Sequence, residues 1–310
     1  MSRRLTPFLF TAPAVIALFV WMIVPLALTL WCSVLRYRLL SPAEPAFVGL
    51  DNYRYFLMDS AAWRAMANTL VLVGSALSVT VVLGIGLAVL FDHDFFGRGT
   101  ARLLLIAPFL VMPTVSALIW KNLIMHPVNG VLAFVTGGLG FEAIDWLGDW
   151  PMTSVVIIVS WQWLPFAALV LLTALQSLDE EQKEAACLDG AGSLDRFCFI
   201  TLPHLRPSIS IVILVETIFF LSIFAEIFVT TSGGPGLATT TLAFLIYTRA
   251  LLEFDVGAAS AGGVVPRVRE RRLDTSGPAS TPSGSLLSSS NDGPFACVNF
   301  SRSRSAPLAS

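Results

Sequence analysis

Few side chains in this chain are of a kind that does chemistry, and most of those stand apart. The three histidines, His93, His126 and His204, fall in different segments, so no pair has the spacing of metal ligands or of a base beside a nucleophile. The four cysteines, Cys32, Cys187, Cys198 and Cys297, show neither metal spacing nor a disulfide-rich pattern and read as isolated thiols. No G-x-x-x-x-G-K-[ST] phosphate loop is present, so ATP hydrolysis is not expected of this chain. No metal or cofactor is expected either. What remains is a handful of polar residues embedded in apolar sequence. Glu216 and Glu226 lead them, because a charge in the bilayer costs at least about 2.5 kcal/mol and therefore marks a candidate solute pathway. On one helix they would lie about 80° apart and both could face one cavity. Trp161, Gln162 and Trp163 offer aromatic faces and an amide, a combination that suits a sugar or polyol. Asn68 is the sixth candidate. Each also has a plainer reading: an interfacial Glu226, a helix-paired Glu216, packing or belt tryptophans, and an Asn68 that hydrogen-bonds between helices.

The elements that must position these residues follow from composition. Hydrophobic residues make up 55% of the 310 and charged residues 13%, against about 25% charged in soluble domains; mean hydropathy is +0.76. Several runs reach the roughly 20 apolar residues a bilayer span requires, and the short alternating segments of a β-barrel are absent. The class is all-α, a polytopic membrane protein. Spans are expected at about 7–31, 65–91, 103–123, 152–175 and 207–229, with Gly74, Gly84 and Gly86 allowing close helix approach in the second. A sixth starts near Val256 and breaks off. Residues 266–310 hold 11 Ser and 5 Pro, a composition that cannot bury enough apolar surface to fold. The chain is thus read as a membrane domain over 1–265 and a disordered Ser/Pro/Arg-rich tail over 266–310, the abrupt change suggesting a shifted reading frame. Residues 1–265 carry 13 basic and 18 acidic residues and the tail six Arg and three acids, so no basic patch in the main body points to nucleic acid. The N-terminus has the charge of a signal-peptide n-region but no small-residue cleavage site, and reads as an uncleaved first span.

One segment is polar at length: residues 176–206, between the fourth and fifth spans. Ser177-Leu178-Asp179-Glu180 has the pattern of a capping box, which would start a helix running from Leu178 to about Leu188. Acidic residues crowd its first turn, where the helix dipole favours them. Gly190 is placed to take the left-handed conformation of a helix stop. Ser193 would cap a second short helix through Phe199, and Pro203 would close the unit. Ala185, Ala186, Leu188 and Ala191 give this helix-turn-helix a small, smooth apolar surface suited to a groove in another protein. An interfacial helix would instead be rich in Lys and Arg.

Within this segment Glu184, Ala185, Ala186, Gly190, Ile200, Leu202 and Pro203 resemble the E-A-A, three residues, Gly, nine residues, Ile-x-Leu-Pro signature of the inner-membrane permease subunits of binding-protein-dependent ABC importers. V-G-L-D-N-Y-R-Y-F-L after the first span, Asn68-Thr69-Leu70, and T-S-G-G-P-G-L-A-T-T-T-L-A-F-L-I-Y-T-R-A-L-L-E-F-D-V-G-A-A-S-A-G-G look like the sugar branch of that family; the last looks most like mannitol or sorbitol permeases. The resemblance covers 1–265. It implies an ABC importer type I transmembrane domain (MetI-like), here with five complete spans and a truncated sixth. It also implies a second permease subunit, two ATP-binding subunits and a periplasmic solute-binding protein as partners, with the seven signature residues coupling ATP-driven closure to the spans. The location implied is the bacterial inner membrane with the N-terminus cytoplasmic. Charge counting does not decide orientation: seven basic residues would lie inside and six outside. Three alternatives stay open. A secondary transporter would show paired ionisable residues and inverted repeats, and no repeat is visible. A membrane-embedded enzyme would need a constellation that the scattered histidines do not supply. A permease lacking its last span would assemble poorly.

Overall fold

Inside a bilayer a backbone has no partner but itself, so each apolar run must become a helix. The computed structural model describes residues 5–41 and 44–264. The tail 266–310, with Cys297 and the remainder of the sixth span, lies outside the described residues, as do Arg3 and Arg4. The first span is α1 (Leu5–Ser33), most of whose apolar side chains from Val15 to Trp31 are exposed. A two-stranded hairpin, β1 (Leu35–Arg36) and β2 (Ala46–Phe47), follows, then α2 (Asp51–Met58) and α3 (Ser60–Asp92). The third run divides into α4 (Arg98–Leu110) and α5 (Pro113–Ile119), the latter continuing through a wide turn over Trp120–Ile124. Two short helices, α6 (Val131–Gly138) and α7 (Trp146–Asp149), lead to α8 (Pro151–Leu175). The polar segment holds α9 (Glu180–Leu188) and α10 (Ser193–Arg196), which passes through a wide turn over Phe197–Thr201 into α11 (Leu202–Leu221). Next come α12 (Ala225–Thr230), α13 (Leu242–Tyr247) with a wide turn over Thr248–Leu252, and α14, residues 256–264.

The core is the pairing of α3 with α8, onto which α4 and α11 pack. A methyl placed on Gly84 would stand 3.0 Å from Cβ of Ala167, so the glycine sets how closely these two helices approach. One apolar cluster joins Leu72, Val73 and Ala76 of α3 to Val155 and Val159 of α8 and Phe220 of α11; a second joins Ala88 and Phe91 to Ala167, Leu171 and Val212.

Four helices among the described residues are long and apolar enough to span a membrane, and α4 with α5 makes a fifth if the bent pair is one span. Two of the expected runs are broken within the described residues. The run 103–123 is not one straight helix: α4 and α5 meet at 104°. Pro113 is the cause, since it disfavours helical backbone at the residue before it, and Met112 is extended at φ −60°, ψ 139°. The run 207–229 is not one helix either. Its helical stretch starts earlier, at Ser193, and ends at Leu221; backbone at Phe224 is irregular at φ −139°, ψ −50° before α12 resumes. The Ser222 hydroxyl donates to the Phe219 carbonyl at 2.8 Å, and the Phe224 ring joins Phe228, Phe244 and Tyr247. Local bonding and aromatic packing thus hold a break that no proline or glycine announces.

Candidate functional site

Asp179 and Gly190 bound the first helix of the polar segment. Asp179 is its N-cap, its carboxylate accepting from the Glu181 amide at 3.1 Å. Ser177, expected in that role, instead donates to the Ala174 carbonyl at 2.6 Å and pairs with His204 Nε2 at 3.1 Å; it belongs to the end of α8. At the other end the Gly190 amide reaches Cys187 O at 3.1 Å and the Ala191 amide reaches Ala186 O at 3.0 Å. Those two bonds form a Schellman stop, with Gly190 left-handed at φ +81°. Ser193 does not cap α10: Gly192 occupies that position and its amide donates to Asp195 at 3.3 Å. Pro203 closes nothing. It sits in the first turn of α11, just past a turn in which the Leu202 amide bonds Phe197 O, five residues back. The wide turn accommodates a residue that has no amide to give.

The outcome is an exposed helix-turn-helix on a buried base. Glu184, Ala185 and Gly190 are exposed and Ala186 is half-buried. Leu188 is 89% exposed and Leu194 79%, apolar area left without a partner in the chain. Ile200 packs beneath against Leu175, Leu178 and Leu205, while Leu202 and Pro203 are half-buried in the first turn of α11. The signature therefore divides into a presented part and an anchoring part.

The membrane residues do not converge as expected. The break after Leu221 puts Glu216 on α11 and Glu226 on α12, so one helical wheel no longer relates them. Both are buried. Glu216 Oε2 accepts from the Thr80 hydroxyl at 2.5 Å, whereas Oε1 is buried without a partner. Gln162 donates from Nε2 to the Val111 carbonyl at 2.9 Å and so ties α8 to the bend between α4 and α5. Trp161 packs edge-on against Trp120, and Trp163 lies among Phe109, Phe166, Phe219 and Phe220. Both tryptophans are half-buried and make ring contacts with neighbouring helices.

Asn68 bonds its helix to a loop. Its Nδ2 donates to Leu237 O at 2.7 Å and to Thr240 O at 3.0 Å, and the neighbouring Thr69 hydroxyl accepts from the Leu242 amide at 2.9 Å. Together they clamp the loop between α12 and α13, in which Thr239, Thr240 and Thr241 are buried. Asn68→Ala would leave the Thr240 carbonyl without this donor and the Leu237 carbonyl with only the Thr240 amide at 3.4 Å, at about 1–3 kcal/mol for a buried carbonyl left unpaired. The expected result is a lower unfolding temperature of the purified protein with solute affinity unchanged among molecules that remain folded. A residue acting mainly by solute contact would show the reverse.

Several residues that organise the site gave no local signal. The Lys121 ammonium donates to Val229 O at 2.9 Å and links the end of α12 to the turn after α5. Arg249 forms an ion pair with Asp59 and lies over the Tyr55 ring at 5.3 Å. The Asn52 amide donates to Ser33 O and Leu35 O at 2.9 and 2.8 Å, and Tyr53 meets Ser33 at 2.7 Å. These last contacts give the Asp-Asn-Tyr stretch a structural task, joining α2 to the end of α1. No group of three or more potential metal ligands occurs among the described residues.

Comparison with known proteins gives concordant matches. A family described as "Binding-protein-dependent transport system inner membrane component" matches residues 58–265. A probable ABC transporter permease protein, y4oQ of Sinorhizobium fredii, is 39% identical over 81% of this chain and 82% of its own length. The sulfoquinovosyl glycerol transport system permease protein SmoG of Agrobacterium fabrum is 34% identical over 86% of each. Among solved structures, a chain of a bacterial ABC transporter involved in the import of the acidic polysaccharide alginate superimposes with a TM-score of 0.74. That match covers 87% of this chain and 93% of the other, at 21% identity, and supports the fold.

Proposed function

Because the chain belongs to the family of inner membrane components of binding-protein-dependent transport systems, we propose that it is the permease subunit of an ATP-driven importer for a carbohydrate-type solute. The observation that carries this reading is the exposed helix-turn-helix over 180–196, an acidic, small-residue surface on a buried base, within a chain of that family. In this account Glu184, Ala185, Ala186 and Gly190 present the surface that enters a cleft of a separate ATP-hydrolysing subunit. Ile200, Leu202 and Pro203 anchor it to α11. Movement of the segment then passes to the membrane through α8 and α11, which it joins directly. In this reading the segment faces the cytoplasm, and with α4 and α5 taken together as one span, four spans precede it, which supports an N-terminus on the same side. A second permease, two ATPase subunits and a periplasmic binding protein complete the machine. The relatives' carbohydrate-derived solutes support a sugar or polyol as cargo, and polyols such as mannitol or sorbitol are the narrower proposal.

Glu216 is the proposed contact with solute hydroxyls. Its Oε1 has no partner and is free to accept one when the pathway opens, and Thr80 holds the other oxygen in place. Glu226, Trp161, Gln162 and Trp163 shape the surrounding wall, and Asn68 acts through the loop it holds. The test is reconstitution of the four-part complex in vesicles with uptake of labelled solutes. Solute-dependent ATP hydrolysis is expected. Glu216→Gln, which keeps an acceptor for Thr80, is expected to lower apparent affinity on the order of tenfold, the scale of one lost charge-assisted hydrogen bond. Unchanged uptake in that variant contradicts the assignment.

One observation favours a second reading for the product as it stands. The family match ends at residue 265, where composition turns to Ser, Pro and Arg. A shifted frame after that codon would leave a permease that assembles poorly. Reading the gene's other frames there, and finding or not finding an apolar run, decides it.

A further inference from the structure

Behind the exposed helix-turn-helix lies a cavity of about 400 Å³ that the coupling account leaves without a role. Val89, Asp92 and His93 at the end of α3 form one wall. Ser193, Arg196 and Thr201, on α10 and the wide turn after it, form the other, with Leu175 and Phe197 completing the lining. One wall belongs to the paired core helices and the other to the segment proposed to move. The volume falls within the range of small-ligand sites.

The polar groups around it are of two kinds. Among the described residues the guanidinium of Arg196 has soft or neutral partners: Nη1 donates to Cys187 Sγ at 3.0 Å and Nη2 to Ser193 Oγ at 3.4 Å. Its Nε–H is buried with no partner among the described residues. A guanidinium held in this way selects an anion, and most strongly a planar carboxylate or a phosphate that accepts two parallel bonds. The opposite wall carries Asp92, which is already engaged within the chain but, as a carboxylate with about four lone-pair sites, keeps acceptor capacity for hydroxyl protons, and Ser193 and Thr201 add hydroxyls that donate or accept. The His93 ring is fixed by Nδ1 against Val89 O at 2.9 Å.

We propose that this cavity is a regulatory site for a phosphorylated polyhydroxy metabolite, with its phosphate on Arg196 and its hydroxyls toward Asp92, Ser193 and Thr201. A ligand there braces α10 against the end of α3 and opposes displacement of the helix-turn-helix, so it slows ATP-driven import. Its chemistry places it after import: a kinase that transfers phosphate to the imported solute makes such a compound. Accumulated product would then restrain its own supply. The proposal rests on the importer reading, and its test separates the two.

The experiment measures binding of sorbitol 6-phosphate to the purified complete complex by calorimetry, with sorbitol and inorganic phosphate as separate probes and with ATP hydrolysis followed in parallel. Saturable binding of sorbitol 6-phosphate is expected, at least about tenfold tighter than either probe alone, because both ends of the ligand are used. Arg196→Gln is expected to lose that tightening, and Thr201→Val to lose part of it without removing a charge. In the wild-type complex, solute-stimulated hydrolysis should fall as the site fills. Absence of saturable binding to an active complex overturns the site, as does binding unchanged in both variants, binding equal for phosphate alone, or binding that survives on the ATPase subunits without this chain. A complex that never forms would instead count against the importer reading.

Discussion

Gly190→Pro will strip the ATPase subunit from the permease during purification, whereas Gly190→Asn will retain it. The contrast isolates one physical cause. Gly190 sits at φ +81°, and a Cβ there would meet nothing within 4 Å, so no steric contact penalises a side chain. Backbone conformation alone does. Asparagine enters the left-handed region at small cost, as it does at many helix ends. Proline is locked near φ −65° and has no amide, so it can neither adopt the conformation nor keep the bond to Cys187 O. The turn must open, and the presented face of α9 rotates away from its base on Leu175, Leu178 and Leu205. Gly190→Ala should fall between, with a cost of about 1–2 kcal/mol from the left-handed backbone. Retention of the ATPase by the proline variant would show that the turn does not place the docking surface.

Breaking the Arg249–Asp59 pair is expected to destabilise the fold more than any other single exposed-to-buried contact described above. The side chain of Arg249 is 8% exposed and that of Asp59 20%. Removing one member of a buried pair strands the other charge, which costs about 3–5 kcal/mol. Asp59 also caps α3, its Oδ1 accepting from the Ala61 amide at 2.9 Å, so alanine would confound two losses. Asp59→Asn keeps a cap acceptor and removes the charge. Its unfolding midpoint should fall by the equivalent of about 3 kcal/mol, the lower end for a broken buried pair. Combining it with Arg249→Met should recover at least half, since an apolar replacement for a buried pair is often neutral. A double variant no better than the single one would mean that Arg249 acts through Tyr55 stacking and not through the pair.

What could be read from the sequence divides by the range of the interaction. The stop at Gly190 was readable because a left-handed residue after an amphipathic stretch has few alternatives. The bend at Pro113 is equally local in cause, although a hydropathy window averages across it and reports one span. The capping-box pattern puts the start of α9 two residues early because Ser177 and Asp179 are both competent caps; His204, twenty-seven residues on, holds Ser177 at the end of α8 instead. The break at 222–224 carries no proline or glycine and depends on an aromatic group completed by Phe244 and Tyr247 from a later helix. Asn68 stands out as polar in an apolar span, yet its partners are 169 and 172 residues away. Arg249 and Asp59 are separated by 190. Residues of that kind look like ordinary loop charges until the helices are packed.

The central claim is that the turn over 180–196 enters a separate ATPase, and site-specific cross-linking reads that contact directly. Leu188 is 89% exposed, so a photoreactive residue placed there costs the fold little. In membranes containing the whole transport system, the account predicts one dominant adduct, between this chain and the ATP-hydrolysing subunit, whose yield changes when ATP is added. Labelling confined to lipid, or adducts with proteins of the opposite membrane face, would contradict it.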